Sequence, residues 1–473
     1  MGNEQHLNGN LRTLPHDRIS LTVSLGGSGT FVVTGKSNDL DAMEQTAAER
    51  VFATVDPINY VLYLDGKARN AETLRAAAHD LTLWTDNRDL AEAYSLYADM
   101  THSITGNVRL ALTLTNVGIA LDPRSTPPHM ESLDASRDLG HDEDVLAQAR
   151  AIAGLQQKDN VVSWRTGPGY AWVQQLGAVN RASETGDFAN LSALPCRVYC
   201  SLASSALLHA EAFARLHDVV DAIGEITRAQ TLGTTGAENA PVTPNANLAI
   251  TQYFTDAARE DWKAAAVDAQ HAADGLISDK SYPETLRSLR VQTQIAPLLA
   301  HALAATGNVV AAQKEIAVTP SDCYACLRER GNIAGIDKNW NGAAYWFARA
   351  VKAASSIPFA YADWGEMLLH KGDYDAAIAK FKLANEKGPH FADPLEMWGE
   401  ALIGKNRSDL ALAKFEEAAK YAPNWGRLHF EWGEAMFYAG ERDEARNQFE
   451  TAGRLDLSMA DRIELAHLRG LHG

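Results

Sequence analysis

Cys323 and Cys326 stand in a C-x-x-C spacing. Such a pair carries out thiol–disulfide chemistry when it opens a helix that follows a strand, because the helix N-terminus stabilises the thiolate. Here the pair opens an amphipathic helix among other helices, and no second pair completes a four-cysteine zinc site. It reads as two buried or half-buried thiols on one helical turn. Cys196 and Cys200, at i and i+4 of a helix, read the same way. His141, Asp142, Glu143 and Asp144 cluster metal-type donors, but a cation would need further converging ligands. Carboxylates at the positive end of a helix dipole explain the run. GGSGT (26–30) could approach a phosphate, yet it lacks the Lys-Ser/Thr of a phosphate-binding loop and reads as a hairpin turn. Neither G-x-S-x-G nor H-E-x-x-H occurs. The expectation is a protein that is not an enzyme, with no cofactor and no metal.

The elements behind these residues are written in the composition. The chain has 473 residues, 46% of them hydrophobic and 22% charged, enough to bury a large core. A net charge of -17 argues against binding nucleic acid, which needs clustered Lys and Arg, and against anionic membrane surfaces. No apolar run approaches the roughly 18–20 residues of a spanning helix, so no direct membrane insertion is expected. The polar start MGNEQHLNGNLRTLPHDR lacks the apolar stretch of a signal peptide. Four cysteines fit a reducing compartment, and the expected location is cytoplasmic. Acidity is uneven. Residues 321–473 hold 19 basic and 23 acidic side chains, and residues 1–320 hold 24 and 37. A solvated outer face accounts for that excess.

Residue types recur every 34 positions near the C-terminus. Gly331, Gly365, Gly399 and Gly433 form one column, and Ala343, Ala377, Ala411 and Ala445 another. Phe347, Phe381, Phe415 and Phe449 form a third, and Ala350, Ala384, Ala418 and Ala452 a fourth. Trp364, Trp398 and Trp432 precede the glycine, and Glu366, Glu400 and Glu434 follow it. Each unit holds two amphipathic stretches around a short breaker, such as HKGDYD (370–375). Gly lets the second helix approach the first, Phe fills the space left by the small residues, and Pro389 and Pro423 close the second helix. One pair cannot bury its apolar face alone, so copies must stack.

These columns resemble the tetratricopeptide repeat (TPR), most closely over 358–391 and 392–425 and more loosely over 324–357 and 426–459. The resemblance implies an all-α fold, a right-handed α-solenoid of helix pairs. It also implies that the first helix of each pair lines a concave groove where ligands lie. Carried over by position, the groove residues are Arg328, Asn332, Phe359, Glu366, His370, Glu396, Glu400, Phe430, Glu434 and Tyr438. Arg328 and Asn332 match the first half of the clamp with which some TPR proteins hold a chaperone C-terminus. Asp363, Glu366 and Glu400 stand where that clamp needs amides or cations, so the chaperone reading is set aside. Stacked glutamates with aromatics nearby suit a basic or amphipathic peptide. Pairing of these glutamates with Lys or Arg of adjacent units is the other reading. The tryptophans beside the packing glycine read as core.

Weaker copies occur upstream, at 298–317, 258–273, 216–229 and 104–123. The expected organisation is a disordered polar segment over 1–18, a small β-hairpin plus helix over 19–56, divergent helix pairs over 57–320, and four TPR units with a capping helix over 321–473. About nine pairs are expected in all. PRSTPPHMESLDASRDLGHDED (123–144) and TLGTTGAENAPVTPNAN (231–247) read as long exposed loops, and RTGPGY (165–170) as a turn. The N-terminal piece resembles part of a small α/β module that precedes TPR arrays in some bacterial proteins. The function that follows is a scaffold for a protein or peptide partner. The alternative is the sensor part of a longer bacterial signalling or membrane-anchored protein. The sequence leaves the oligomeric state open.

Overall fold

The structure is a computed structural model, and it describes residues 6–27, 29–155, 170–194, 202–234 and 244–470. The turn expected at 165–170, the pair Cys196 and Cys200, and most of the loop at 231–247 lie outside the described residues. The chain forms two compact units whose boundaries do not follow positions 56 and 320.

Among the described residues, the first unit comprises 6–27, 29–105 and 110–131. Its sheet is an antiparallel meander of β1 (Leu7–Leu14), β2 (Arg18–Leu25) and β3 (Gly29–Lys36), in the order β1-β2-β3. The segment expected to be disordered therefore carries a strand. Its residues, LNGNLRTL, are nearly all exposed, so no buried apolar face advertises the strand; its backbone pairs with β2 from Leu7↔Leu25 to Leu14↔Arg18. Ile19, Val23 and Leu25 of β2 are buried. The helix α1 (Leu40–Val55) packs Met43 against Gly35, where a side chain would collide with the Met43 sulfur. Next come α2 (Pro57–Gly66), α3 (Asn70–Asp80), α4 (Asn87–Thr105) and α5 (Val108–Leu121). Ile58, Val61, Ala77, Leu96 and Met100 form a shared core for α2, α3 and α4.

The segment 123–144, expected as an exposed connection, is mainly the helix α6 (Thr126–Leu139), with Leu133, Ala135 and Ser136 fully buried. Pro127 and Pro128 fall in its first turn, where the missing N–H groups have no helical partner to lose. They start the helix rather than break it.

Among the described residues, the second unit comprises 106–109, 132–155, 170–194, 202–234 and 244–470. Its helices are α7 (Asp142–Gly154), α8 (Tyr170–Thr185), α9 (Phe188–Ala193), α10 (Leu202–Arg215), α11 (Val219–Thr234), α12 (Pro244–Ala258), α13 (Trp262–Ser278), α14 (Glu284–Arg290), α15 (Ala296–Ala305) and α16 (Val309–Ala317). A π-helical turn, Val291–Ile295, joins α14 to α15. The four C-terminal pairs are α17 (Tyr324–Ile336) with α18 (Trp340–Ala353), α19 (Phe359–His370) with α20 (Tyr374–Lys387), α21 (Asp393–Gly404) with α22 (Ser408–Ala419), and α23 (Gly426–Ala439) with α24 (Arg442–Ala452). The cap α25 (Met459–Gly470) follows. Counting α14 and α15 as one helix, α2 to α24 make eleven consecutive pairs among the described residues, against about nine expected.

The 34-residue columns are packing positions. A Cβ added to Gly331, Gly399 or Gly433 would lie 2.6, 2.5 or 2.6 Å from the ring of Phe347, Phe415 or Phe449, and one on Gly365 would strike Phe381. Those four phenylalanines are almost wholly buried, as are all eight column alanines. Trp364, Trp398 and Trp432 are half-buried against the same cores. Lys380 lies 3.3 Å over Trp364 and Lys414 lies 4.2 Å over Trp398.

Candidate functional site: the first-helix row of the C-terminal pairs

The first helices α17, α19, α21 and α23 recur every 34 residues, so one side-chain position on each forms a row. The row is not a bare stripe of carboxylates. Arg328 on α17 grips Asp363 on α19 through two bonds, Nε to Oδ2 at 2.8 Å and Nη2 to Oδ1 at 3.0 Å. Its guanidinium lies 5.2 Å over the Phe359 ring. Asn332 donates to Glu329 at 3.2 Å and to Asp363 at 3.4 Å. Arg427 on α23 donates to Glu400 at 2.6 Å and to Glu396 at 3.4 Å, both on α21. The cross-unit pairing expected as the plainer reading thus holds for Glu400.

Exposure divides the ten positions. Glu366, His370 and Tyr438 are open to solvent. Arg328, Asn332, Phe359, Glu400 and Glu434 are half-buried. Glu396 and Phe430 are buried, at 1% and 3%, which corrects their expected exposure in the groove. Phe430 turns into the core beside Phe449, with ring centroids 6.1 Å apart. Glu396 is enclosed where α21 meets α23, and its charge is answered by Arg427. Phe359 is covered by Phe188 of α9, stacked at 6.3 Å, and by the edge of Phe391 at 5.3 Å.

Burial, with neighbouring charges adding to it, raises three carboxyls of the row. Burial lifts Glu366 above its ordinary range, with Asp363 adding and His370 opposing; its solvent access limits what that shift is worth. Glu434 is raised by burial, then by the charges of Glu464, Glu400 and Asp461. Burial pushes Glu396 well up, with neighbouring Glu400 adding to it. Among the described residues neither Glu366 nor Glu434 is in an ion pair, and no three His, Cys, Asp or Glu side chains are grouped as a metal site would require.

Residues of the upstream helices also meet this row, and no motif announces them. Glu260, at the α12–α13 turn, lies 3.8 Å from Arg427. His301 of α15 meets Glu329 at 2.8 Å. Further contacts join upstream turns to loops between the C-terminal pairs. Gly140 accepts the Tyr324 N–H at 2.8 Å, and Glu143 accepts that of Ser356 at 2.9 Å. Asp187 meets His390 at 3.2 Å. His217 stacks on Trp425, with centroids 3.9 Å apart, and Asp218 accepts from Asn424 at 2.6 Å. Columns within a repeat cannot reveal these pairings, because they join different repeats.

Cys323 and Cys326 are a disulfide, not two thiols, and both are fully buried at the start of α17. Cys323 is the N-cap, its sulfur accepting the Cys326 N–H at 3.2 Å. Asp142, Glu143 and Asp144 occupy the first turn of α7, as the dipole argument requires.

No family model and no curated protein matches the chain. Among solved structures, yeast Tom70 is similar at 14% identity over 87% of this chain and 94% of that one, with a TM-score of 0.42. The Cut9–Hcn1 hetero-tetramer of the APC/C is similar at 13% identity, 86% and 81% coverage and a TM-score of 0.46. YrrB, described as a TPR protein with an unusual peptide-binding site, is similar at 16% identity over 38% of this chain and 92% of that one, with a TM-score of 0.29. All three TM-scores are below 0.5, and the fold assignment rests on the repeat itself. Four pairs built on Gly–Phe contacts at 34-residue steps are TPR-type pairs, and among the described residues the remaining elements are helices apart from the N-terminal sheet.

Proposed function

We propose that the protein is a non-catalytic scaffold whose C-terminal helix pairs hold an extended segment of a protein partner along the concave face. The observation that carries this reading is the pair of carboxylates Glu366 and Glu434. They occupy the same position two repeats apart, Glu366 exposed and Glu434 half-buried, and are uncommitted to any ion pair among the described residues. Glu434 is raised by burial and by neighbouring carboxylates, so a cation brought to it is favoured, and Glu366 is open to solvent where a second cation can reach it. His370 and Tyr438, both open to solvent, flank the two ends of the row. A segment carrying Lys or Arg at two points, with an apolar residue for Tyr438, has the matching chemistry. Arg427 already neutralises the middle of the row through Glu400, so the two attachment points are separate.

Affinity capture from the source extract tests the reading, with the wild type beside a Glu366→Lys, Glu434→Lys double variant. Glu400 is left intact, because reversing it would set two cations against each other at Arg427. A partner held by the wild type, lost by the double variant and released by moderate salt is the expected result. The same proteins on both would remove the concave row as the binding surface.

A further inference from the structure

A second feature lies among residues the concave face does not use. Where α7, α8 and α9 approach the end of α20, a cavity of about 220 Å³ is lined by Arg150, Arg181, Asn190, Lys387 and His390, among others. The chain as a whole carries -17, yet this cavity collects three full cations from three separate helices.

The cations are not there to pair with carboxylates. The arginines Arg69, Arg137, Arg290, Arg328, Arg407 and Arg427 each hold a carboxylate within 3.0 Å. Arg150, Arg181 and Lys387 have no ion pair among the described residues. The one carboxylate in the lining, Asp187, is already engaged. It accepts the Asn190 N–H at 3.4 Å as the N-cap of α9, and it lies 3.2 Å from His390 Nδ1. Like charges gathered at one mouth repel one another, most at low ionic strength, and an anion placed among them removes that repulsion. In an acidic chain, the lining sets three full cations against the single carboxylate of Asp187.

We propose that this cavity is an oxyanion pocket that takes a phosphoryl group. Two guanidiniums offer planar forks that match tetrahedral oxygens, and the lysine ammonium supplies a point charge. A phosphoryl group carries close to two charges and three acceptor oxygens, which suits three cations better than a single carboxylate does. The three cations of the lining address a phosphoryl group alone, so the group proposed is a terminal phosphoryl group. It arrives either as a free phosphate-type ion or on a phosphorylated side chain. The pocket shares no residue with the concave row, so it stands or falls independently of the partner-binding reading.

Calorimetric titration of the full chain at low ionic strength tests the proposal. The probes are inorganic phosphate, a short phosphoserine peptide and the same peptide unphosphorylated. Saturable binding of a phosphorylated probe is expected. It should weaken about tenfold or more in the Arg150→Gln, Arg181→Gln double variant, as loss of charge-assisted bonds implies. Lys387→Gln alone should weaken it severalfold. All three side chains are exposed, so helical circular dichroism should not change; if the double variant misfolds, Lys387→Gln decides alone. Tighter binding of the phosphopeptide than of phosphate assigns the source to a modified side chain, and the reverse assigns it to a free ion. Failure of both phosphorylated probes to bind the wild type overturns the proposal. So does binding that the variants leave unchanged, or an unphosphorylated peptide that binds as well as its phosphorylated form.

Discussion

A methyl group on residue 399 would sit 2.5 Å from the Phe415 ring. In an open helix, Gly→Ala gains about 1 kcal/mol. Phe415 is fully buried and has nowhere to retreat, so the sign reverses. Gly399→Ala should cost about 1–3 kcal/mol in urea unfolding, and a stabilised variant would show that the ring has room. Asp80 makes the converse case in the first unit. It is 2% exposed, and Oδ2 has no hydrogen-bond partner among the described residues. Burial, with the charge of Asp56 adding to it, lifts its carboxyl to about 7. A carboxyl raised in the folded state favours folding only while protonated. Its contribution is whole below the unfolded value of about 3.9 and is lost as pH rises through 7. Asp80→Asn should therefore gain on the wild type between pH 4 and pH 8, by on the order of 2–4 kcal/mol. Parallel denaturation curves that keep a constant gap across that range would refute the buried-carboxyl account. Nothing in the segment LRAAAHD marks Asp80 as buried; its burial comes from the packing of α2 and α4, which no local pattern encodes.

At the scale of elements, the ion pair between α15 and α17 sets a pH window. Burial alone would lower the His301 imidazole, but the charge and hydrogen bond of Glu329 outweigh it and raise it to about 9. Glu329 is held below its ordinary value by the same partner, against its own burial. The histidine's contribution is complete below its unfolded value near 6.5 and is lost as pH rises through 9. In thermal melts, the deficit of His301→Gln should be greatest near pH 6 and should shrink by pH 9; a deficit that grows with pH would be the wrong sign. Helices α17 to α24 were legible in the sequence because Gly, Ala and Phe each have one structural use there and recur in register. Helix α6 was illegible because proline marks both the first turn of a helix and its end. Strand β1 was illegible because a strand with both faces wet leaves no alternation. The concave row was legible as a set of positions, but not in its burial: Glu396 and Phe430 obey the spacing and still turn inward.

The second unit, taken whole, contains bonds between residues far apart in sequence. Ser356 and Glu143 are separated by 213 positions, Asn424 and Asp218 by 206, and His217 and Asp393 by 176. Repeat arrays commonly touch only their neighbours, so that stability is a sum of adjacent interfaces. Here upstream turns also grip downstream loops, and a local loosening is expected to travel. His217→Ala with Asp218→Ala should speed hydrogen exchange across 424–430, while α17 and α18 keep their protection. Unaltered exchange at 424–430 would mean the stacked ring and the aspartate hold nothing.

A ribosome releases the two sides of those contacts at different times. At roughly 5–20 residues per second, a gap of about 200 residues is a delay of about 10–40 seconds. During that delay His217 has no Trp425 to rest on, and Phe188 has neither Phe359 nor Phe391. The nascent first half thus displays aromatic and charged surface that only the last third of the chain will cover. A chain that stops at residue 320 should keep that surface bare for good, inviting the company of chaperones or of its own copies.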